Sequence, residues 1–167
     1  MTEENISSSI TISAPAVTVF EVLADPSTHA AIDGTGWVRE SLSGEPLTHA
    51  GQIFRVAMHH EGHPDKDYEV ASRVEVFEPP RTIAWLPGHA PGRPTSAGAD
   101  DAALEYGGWI WRYDLEPVGD DQTNVTLTYD WSAVPPEGRE IIPFPMFDVS
   151  HLDNSLKHLA ELAQARR

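Results

Sequence analysis

Two short segments, Gly108-Trp109-Ile110-Trp111-Arg112-Tyr113 and Leu127-Thr128-Tyr129-Asp130-Trp131, place a large side chain at every second residue. Side chains alternate faces along a strand. This spacing therefore predicts two strands, with Trp109, Trp111 and Tyr113 on one face of the first and Leu127, Tyr129 and Trp131 on one face of the second. The indole N–H and phenol O–H groups of such a wall need partners when buried, which suits the lining of a ligand cavity better than a dry aliphatic core. The competing reading of any one ring is plain core filling, with its polar atom bonded to backbone.

The rest of the chain supplies a sheet around these two strands. Further strands are predicted at Trp37 to Ser43, Gln52 to His60, Asp67 to Glu78 and Thr82 to Leu86, with the aromatic pair at Gly108 to Glu116 and Asn124 to Ser132. Ser43-Gly44-Glu45-Pro46, Glu78-Pro79-Pro80 and Gly119-Asp120-Asp121 mark turns between them, and such short connections imply an antiparallel meander. Ile6, Ile10 and Ile12 predict a first strand, for seven in all. Two short helices follow it: one runs from a Ser13 cap through Val17, Phe20, Leu23 and Ala24 to Asp25-Pro26, the other spans Pro26 to Ile32. Asp33-Gly34-Thr35-Gly36 then breaks the chain, with turn chemistry and ligand contact both open for Asp33.

The chain ends in an amphipathic helix over Ser150 to Ala165, with Leu152, Leu156, Leu159 and Ala163 on one stripe. A curved sheet and a helix each have one apolar face to bury, so the sheet is expected to wrap the helix in a single α+β domain over residues 1–167. Two segments break the regularity. Pro87 to Tyr106 is rich in Pro, Gly and Ala and is expected to form a flap. Val134 to Val149, with four prolines around Phe144, Met146 and Phe147, is expected to fold over the cavity mouth.

Composition removes several classes of function. The chain has no cysteine among its 167 residues, which excludes disulfides, thiolate metal sites and a cysteine nucleophile. Its net charge of -15, from 26 acidic and 11 basic side chains, repels nucleic acid and anionic membrane surfaces. No stretch approaches the roughly 20 apolar residues of a membrane span, so a cytoplasmic protein, monomer or homodimer, is expected.

Carried through the meander, the period-two rule assigns Phe54, Val56, Met58 and His60 to the cavity face of one strand. Tyr68, Val70, Ser72, Val74 and Val76 follow on the next, then Ile83 and Trp85. The candidate ligand-binding residues are Phe54, Met58, Tyr68, Ser72, Trp85, Trp109, Trp111, Trp131 and Phe144, with Leu152 and Leu156 from the terminal helix. His60 is the general acid/base candidate, because histidine titrates near neutral pH, and Tyr68, Tyr113 or Tyr129 is a hydroxyl donor able to polarise a carbonyl. The run from His59 to Asp67 holds three histidines, but adjacent strand residues point to opposite faces, so no metal site is assigned. Nothing in the pattern calls for a cofactor. Arg112 and Asp130 are expected to pair across strands on the outer face.

Several local patterns carry a resemblance over nearly the whole chain. They are Ala14-Pro15 leading to Val19-Phe20-Glu21-Val22-Leu23-Ala24-Asp25-Pro26, Gly51-Gln52-Ile53-Phe54, Val74-Glu75-Val76-Phe77-Glu78-Pro79-Pro80-Arg81 followed by Ile83-Ala84-Trp85, and Ser155-Leu156 with Leu159. In this order they resemble the helix-grip fold of the START and birch-pollen-allergen superfamily, and its bacterial polyketide cyclase/dehydrase branch in particular. The resemblance implies a cavity between sheet and last helix for an apolar small molecule. It implies no single reaction, because such folds serve ring-closing enzymes, carriers of lipids or quinones, and co-chaperones. A polyketide cyclase or dehydratase, a non-enzymatic carrier or sensor, and an interaction domain therefore all stand as readings.

Overall fold

In the computed structural model, residues 4–33, 38–42, 45–59, 67–90, 100–136 and 149–166 are described. Strand β1 (Asn5–Ile12) leads into helix α1 (Ala16–Leu23), a 3-10 turn (Pro26–Thr28) and helix α2 (His29–Ile32). Strands β2 (Val38–Ser41), β3 (Ile53–His59), β4 (Asp67–Glu78), β5 (Thr82–His89), β6 (Glu105–Tyr106), β7 (Ile110–Val118) and β8 (Gln122–Asp130) follow, and helix α3 (Val149–Arg166) ends the chain. Seven strands run in the order β1-β8-β7-β5-β4-β3-β2, every pair antiparallel, and the two-residue β6 adds to β5. The expected α+β architecture stands, with α3 on the concave face of the curled sheet.

The aromatic wall has the expected phase. Opposite one another on β7 and β8 stand Trp111 and Tyr129, then Tyr113 and Leu127. Tyr113, Leu127, Tyr129 and Trp131 are buried, and Trp109 and Trp111 pack against the same core. Leu152, Leu156, Leu159 and Ala163 of α3 are all buried, as their spacing predicts. Burying one Leu side chain contributes about 1.5–3 kcal/mol, so this stripe alone is enough to anchor α3. Ser8 on β1 donates to Asp153, and Gln164 accepts from the Ser13 backbone N–H at 3.0 Å, fastening both ends of the helix to the start of the chain.

Four local expectations are corrected. Ser13 does not cap α1: Pro15 holds the N-cap position without a side-chain bond. The buried stripe of α1 is Ala16, Val19, Phe20, Val22 and Leu23, whereas Val17 is exposed. On β4 the register shifts between Val74 and Val76, so that Val74 faces Trp85 but Phe77 faces Ile83. One extra residue in a strand reverses the faces beyond it, which turns Phe77 rather than Val76 onto the core, edge-on to Phe20 at 5.3 Å. Finally, Arg112 pairs with Asp114 of its own strand at 2.9 Å. The register puts Thr128 opposite Arg112 and Ile110 opposite Asp130, so the expected cross-strand pair is out of line.

The Pro87 to Tyr106 segment is partly regular. β5 extends to His89, and Tyr106 returns to pair with Gly88, its ring lying under the Arg73 guanidinium at 4.4 Å. Gly108, at φ +101°, turns the chain into β7, and a Cβ there would meet the Ala133 carbonyl oxygen at 2.6 Å. The rest of the expected flap, residues 91–99, lies outside the described residues, as does most of the proline-broken segment before α3.

Candidate functional site: the aromatic concave face

The rings of the concave face form two series. His29 stacks on Trp85 at 4.9 Å, Phe54 meets both edge-on, and Trp85 leads to Tyr113 at 5.8 Å. Trp111 lies 4.6 Å from Tyr129, which lies 5.8 Å from Trp131. These positions are what the antiparallel ladder dictates, since Trp85, Trp111 and Tyr129 occupy one row across β5, β7 and β8. Phe54, Ser72 and Val74 are buried on the same face, while Met58 and Tyr68 stand opposite each other at its far end.

Exposure along this face is uneven. The block of Ile83, Tyr113, Leu115, Val125 and Leu127 is 0–4% exposed. Met58, Tyr68, Val70, Trp85, Trp109 and Trp111 point the same way and are only half-buried. The concave face is thus closed over its aliphatic rows, whereas the indoles of Trp85, Trp109 and Trp111 keep partial exposure.

A polar pair that the sequence pattern did not single out sits against the wall. Asp33 follows α2, and His151 lies in the first turn of α3, with its ring edge-on to Trp111 at 5.7 Å. The His151 Nε2 is 3.9 Å from Asp33 Oδ1, and the two side chains are 7% and 9% exposed. The Val38 backbone N–H donates to Asp33 Oδ2 at 2.9 Å, the Asp33 backbone N–H donates to the His29 carbonyl at 2.9 Å, and a His158 ring N–H donates to the carbonyl of the preceding Ile32 at 3.1 Å. Burial pulls His151 below the usual histidine range, opposed by the Asp33 charge. Burial and then Asp33 push the Tyr113 and Tyr68 hydroxyls above the ordinary phenol value, and burial alone does so for Tyr129. At neutral pH the tyrosines are therefore donors and His151 is a neutral ring, a set able to move a proton or hydrogen-bond a carbonyl.

His29 plays a different part. Its Nε2–H donates to the Leu23 carbonyl at 2.9 Å, and burial lowers its proton affinity against the opposing effects of that bond and of Asp25. It is a neutral, ring-stacked prop under Trp85. Among the sequence candidates, His60 and Phe144 lie outside the described residues. Leu152 and Leu156 lie on the core side of α3. His59, on the opposite face from Met58, is bonded to Asp67 at 2.6 Å on the rim of the hairpin. Asp33 and His151 do not stand out in the sequence because a turn and a lone helical histidine each have an ordinary explanation. The available signal was that His151 and Ser155, four apart, fall on the stripe of Leu152, Leu156 and Leu159. Among the described residues no cluster of three or more metal-ligating side chains is present, and no helix is long and apolar enough to cross a membrane.

A separate groove of about 620 Å³ opens between α1, the residues leading from β2 to β3 and the end of β4, over Phe20, Leu47 and Phe77. None of the candidate ligand-binding residues lines it.

Comparison with known proteins agrees with the architecture. No family profile matches the chain. The uncharacterized protein Rv0088 of Mycobacterium tuberculosis is 29% identical over 128 residues, 77% of this chain and 48% of that protein, so the chain spans about half the length of the curated relatives it matches. Protein NE0264 of Nitrosomonas europaea superposes with a TM-score of 0.69 at 14% identity, covering 99% of this chain and 97% of that one. A Streptomyces aromatase/cyclase superposes at 0.60 with 18% identity, and Thalictrum norcoclaurine synthase at 0.62 with 16%, each covering 97% of this chain and 94% of its own. Strand order, the placement of α3 and these superpositions together give the chain the helix-grip fold.

Proposed function

We propose that the chain binds a hydrophobic, ring-bearing small molecule over the accessible end of the concave face, between the aromatic wall and α3. The observation that carries this reading is the exposure contrast: inward-facing Trp85, Trp109 and Trp111 keep solvent access where the aliphatic block beside them keeps none. Apolar walls with a few convergent polar groups are how small-molecule sites are built, and Asp33, His151, Tyr68 and Tyr113 supply those groups. A cyclase or dehydratase role is favoured over passive carriage by the buried Asp33–His151 pair, since carriage needs volume and apolar lining alone. In such a reaction the neutral His151 accepts a proton from the carbon beside a carbonyl, and a tyrosine hydroxyl hydrogen-bonds the carbonyl oxygen as negative charge develops there. The presence of an aromatase/cyclase among proteins of the same fold is consistent with that class of chemistry.

A thermal-shift screen of aromatic ketones, quinones and polyketide-like chains tests the binding, because a ligand of the folded state raises Tm with the logarithm of its concentration. The expected result is a concentration-dependent rise that Trp111→Ala abolishes. A rise equally large in the Trp111→Ala protein would place the ligand elsewhere and refute the assignment.

A further inference from the structure

Trp109 owes its place to the residue two before it. Gly107 follows β6, and a Cβ built on it would fall 1.8 Å from Cζ3, 2.5 Å from Cη2 and 2.6 Å from Cε3 of the Trp109 indole. Non-bonded carbons settle about 3.5–4.0 Å apart, so the six-membered part of the ring occupies the space in which any other residue at 107 carries its side chain. The indole is seated directly on the backbone.

The chain is held on both sides of this seat. Downstream, a Cβ on Gly108 would meet the Ala133 carbonyl carbon at 2.8 Å and the Val134 Cα at 3.0 Å, and Val134 is itself buried, its N–H donating to the Trp131 carbonyl at 3.0 Å. Upstream, Tyr106 pairs with Gly88 of β5, and its ring lies so close that a Cβ on Gly88 would meet Cε1 at 2.8 Å. With the backbone packed at both ends, the softest coordinates left are the Trp109 side-chain torsions. Trp109 precedes Trp111 by two residues on one face, and Trp111 stands opposite Trp85, so a turn of the Trp109 ring reshapes the half-buried indole wall.

We propose that Gly107 is a positioning residue for the ligand site: by carrying no side chain it seats the Trp109 indole against the backbone and so sets the outline of the wall that a ring-bearing ligand meets. The proposal rests on the ligand site argued above and adds the residue that shapes it. A larger residue at 107 turns the indole off its seat, either across Trp111 or out into solvent. Both outcomes remove a surface that the ligand uses.

Calorimetric titration of 2-acetylnaphthalene into the wild type, Gly107→Ala, Trp109→Ala and the double variant tests this, with near-UV circular dichroism of each folded protein as the spectroscopic signature of the ring. Gly107→Ala is expected to weaken the probe tenfold or more and to change the near-UV spectrum. In the Trp109→Ala background the same substitution is expected to change affinity less than about twofold and to leave the spectrum as it was, because the ring it displaces is gone. If Gly107→Ala alone fails to fold, the double variant is expected to restore folding; failure of both would place the clash elsewhere and overturn the proposal. A Gly107→Ala penalty that persists without the Trp109 ring, or a near-UV spectrum that Gly107→Ala leaves unchanged, would overturn the seating while the ligand site stands. A wild-type chain that does not bind the probe, with the near-UV change still present in Gly107→Ala, would overturn the ligand site and the positioning role with it.

Discussion

The two ends of the concave face are built from the same strands, yet they solve different problems. At one end Ile83, Leu115, Val125 and Leu127 meet the buried stripes of α1 and α3 and leave no access. At the other, Met58, Tyr68, Trp85, Trp109 and Trp111 point the same way and remain half-buried. Aliphatic side chains lose nothing by complete burial, whereas rings with a polar atom tolerate a wet edge. A single alternating pattern can therefore hold a structural core and a candidate binding surface on one face, separated by where the helices cover the sheet: Tyr113, Tyr129 and Trp131 are rings too, yet they are buried.

The comparison breaks if the two ends respond alike to truncation. Leu127→Ala is expected to lower unfolding free energy by about 2–5 kcal/mol in denaturant titrations, with ligand affinity in the folded fraction changed less than about threefold. Trp111→Ala should reverse the emphasis, costing less stability than Leu127→Ala while weakening a bound ring-bearing probe by tenfold or more, on the order of 1.4 kcal/mol. Equal affinity losses in both variants would erase the division between the ends.

Acid titration sharpens it. Burial holds His29 and His151 below the ordinary histidine value of 6.5, so between that value and their folded-state values the unfolded chain binds more protons than the folded one. Stability is then fully present above about pH 6.5 and declines as pH falls through the folded-state values. Urea midpoints measured from about pH 7 down to about pH 5 should fall, and His29→Phe, which keeps the stacked ring without the titrating nitrogen, should flatten part of that decline. A pH dependence that His29→Phe leaves unchanged would contradict the neutral-ring assignment for His29. The smallest effect is expected outside the concave face altogether. Arg112→Ala removes an exposed ion pair with Asp114 and should cost under about 1 kcal/mol, with ligand affinity untouched.

Much of this division is legible in the amino-acid sequence. The alternation around Trp111 and Tyr129 assigns the correct face to each ring, and the helical spacing of Leu152, Leu156 and Leu159 assigns the buried stripe, because both depend on local backbone periods. The register of β4 is less legible. The irregularity between Val74 and Val76 leaves no compositional mark, and it carries Phe77 onto the core in place of Val76. The Arg112–Asp130 expectation failed for a related reason: sequence phase specifies a face, but pairing across strands depends on register, which puts Thr128 opposite Arg112.

What the amino-acid sequence determined by itself is the order of elements, the faces of most strands and the aromatic character of the wall, all consequences of chain geometry acting over a few residues. Which end of that wall stays accessible was decided by the tertiary structure, through the seating of α1 and α3 over the aliphatic rows. So was the meeting of Asp33 with His151, a carboxylate after one helix and an imidazole at the start of another. Their spacing along the chain says nothing about it, because only the packing of α2 against α3 brings the two groups within 3.9 Å.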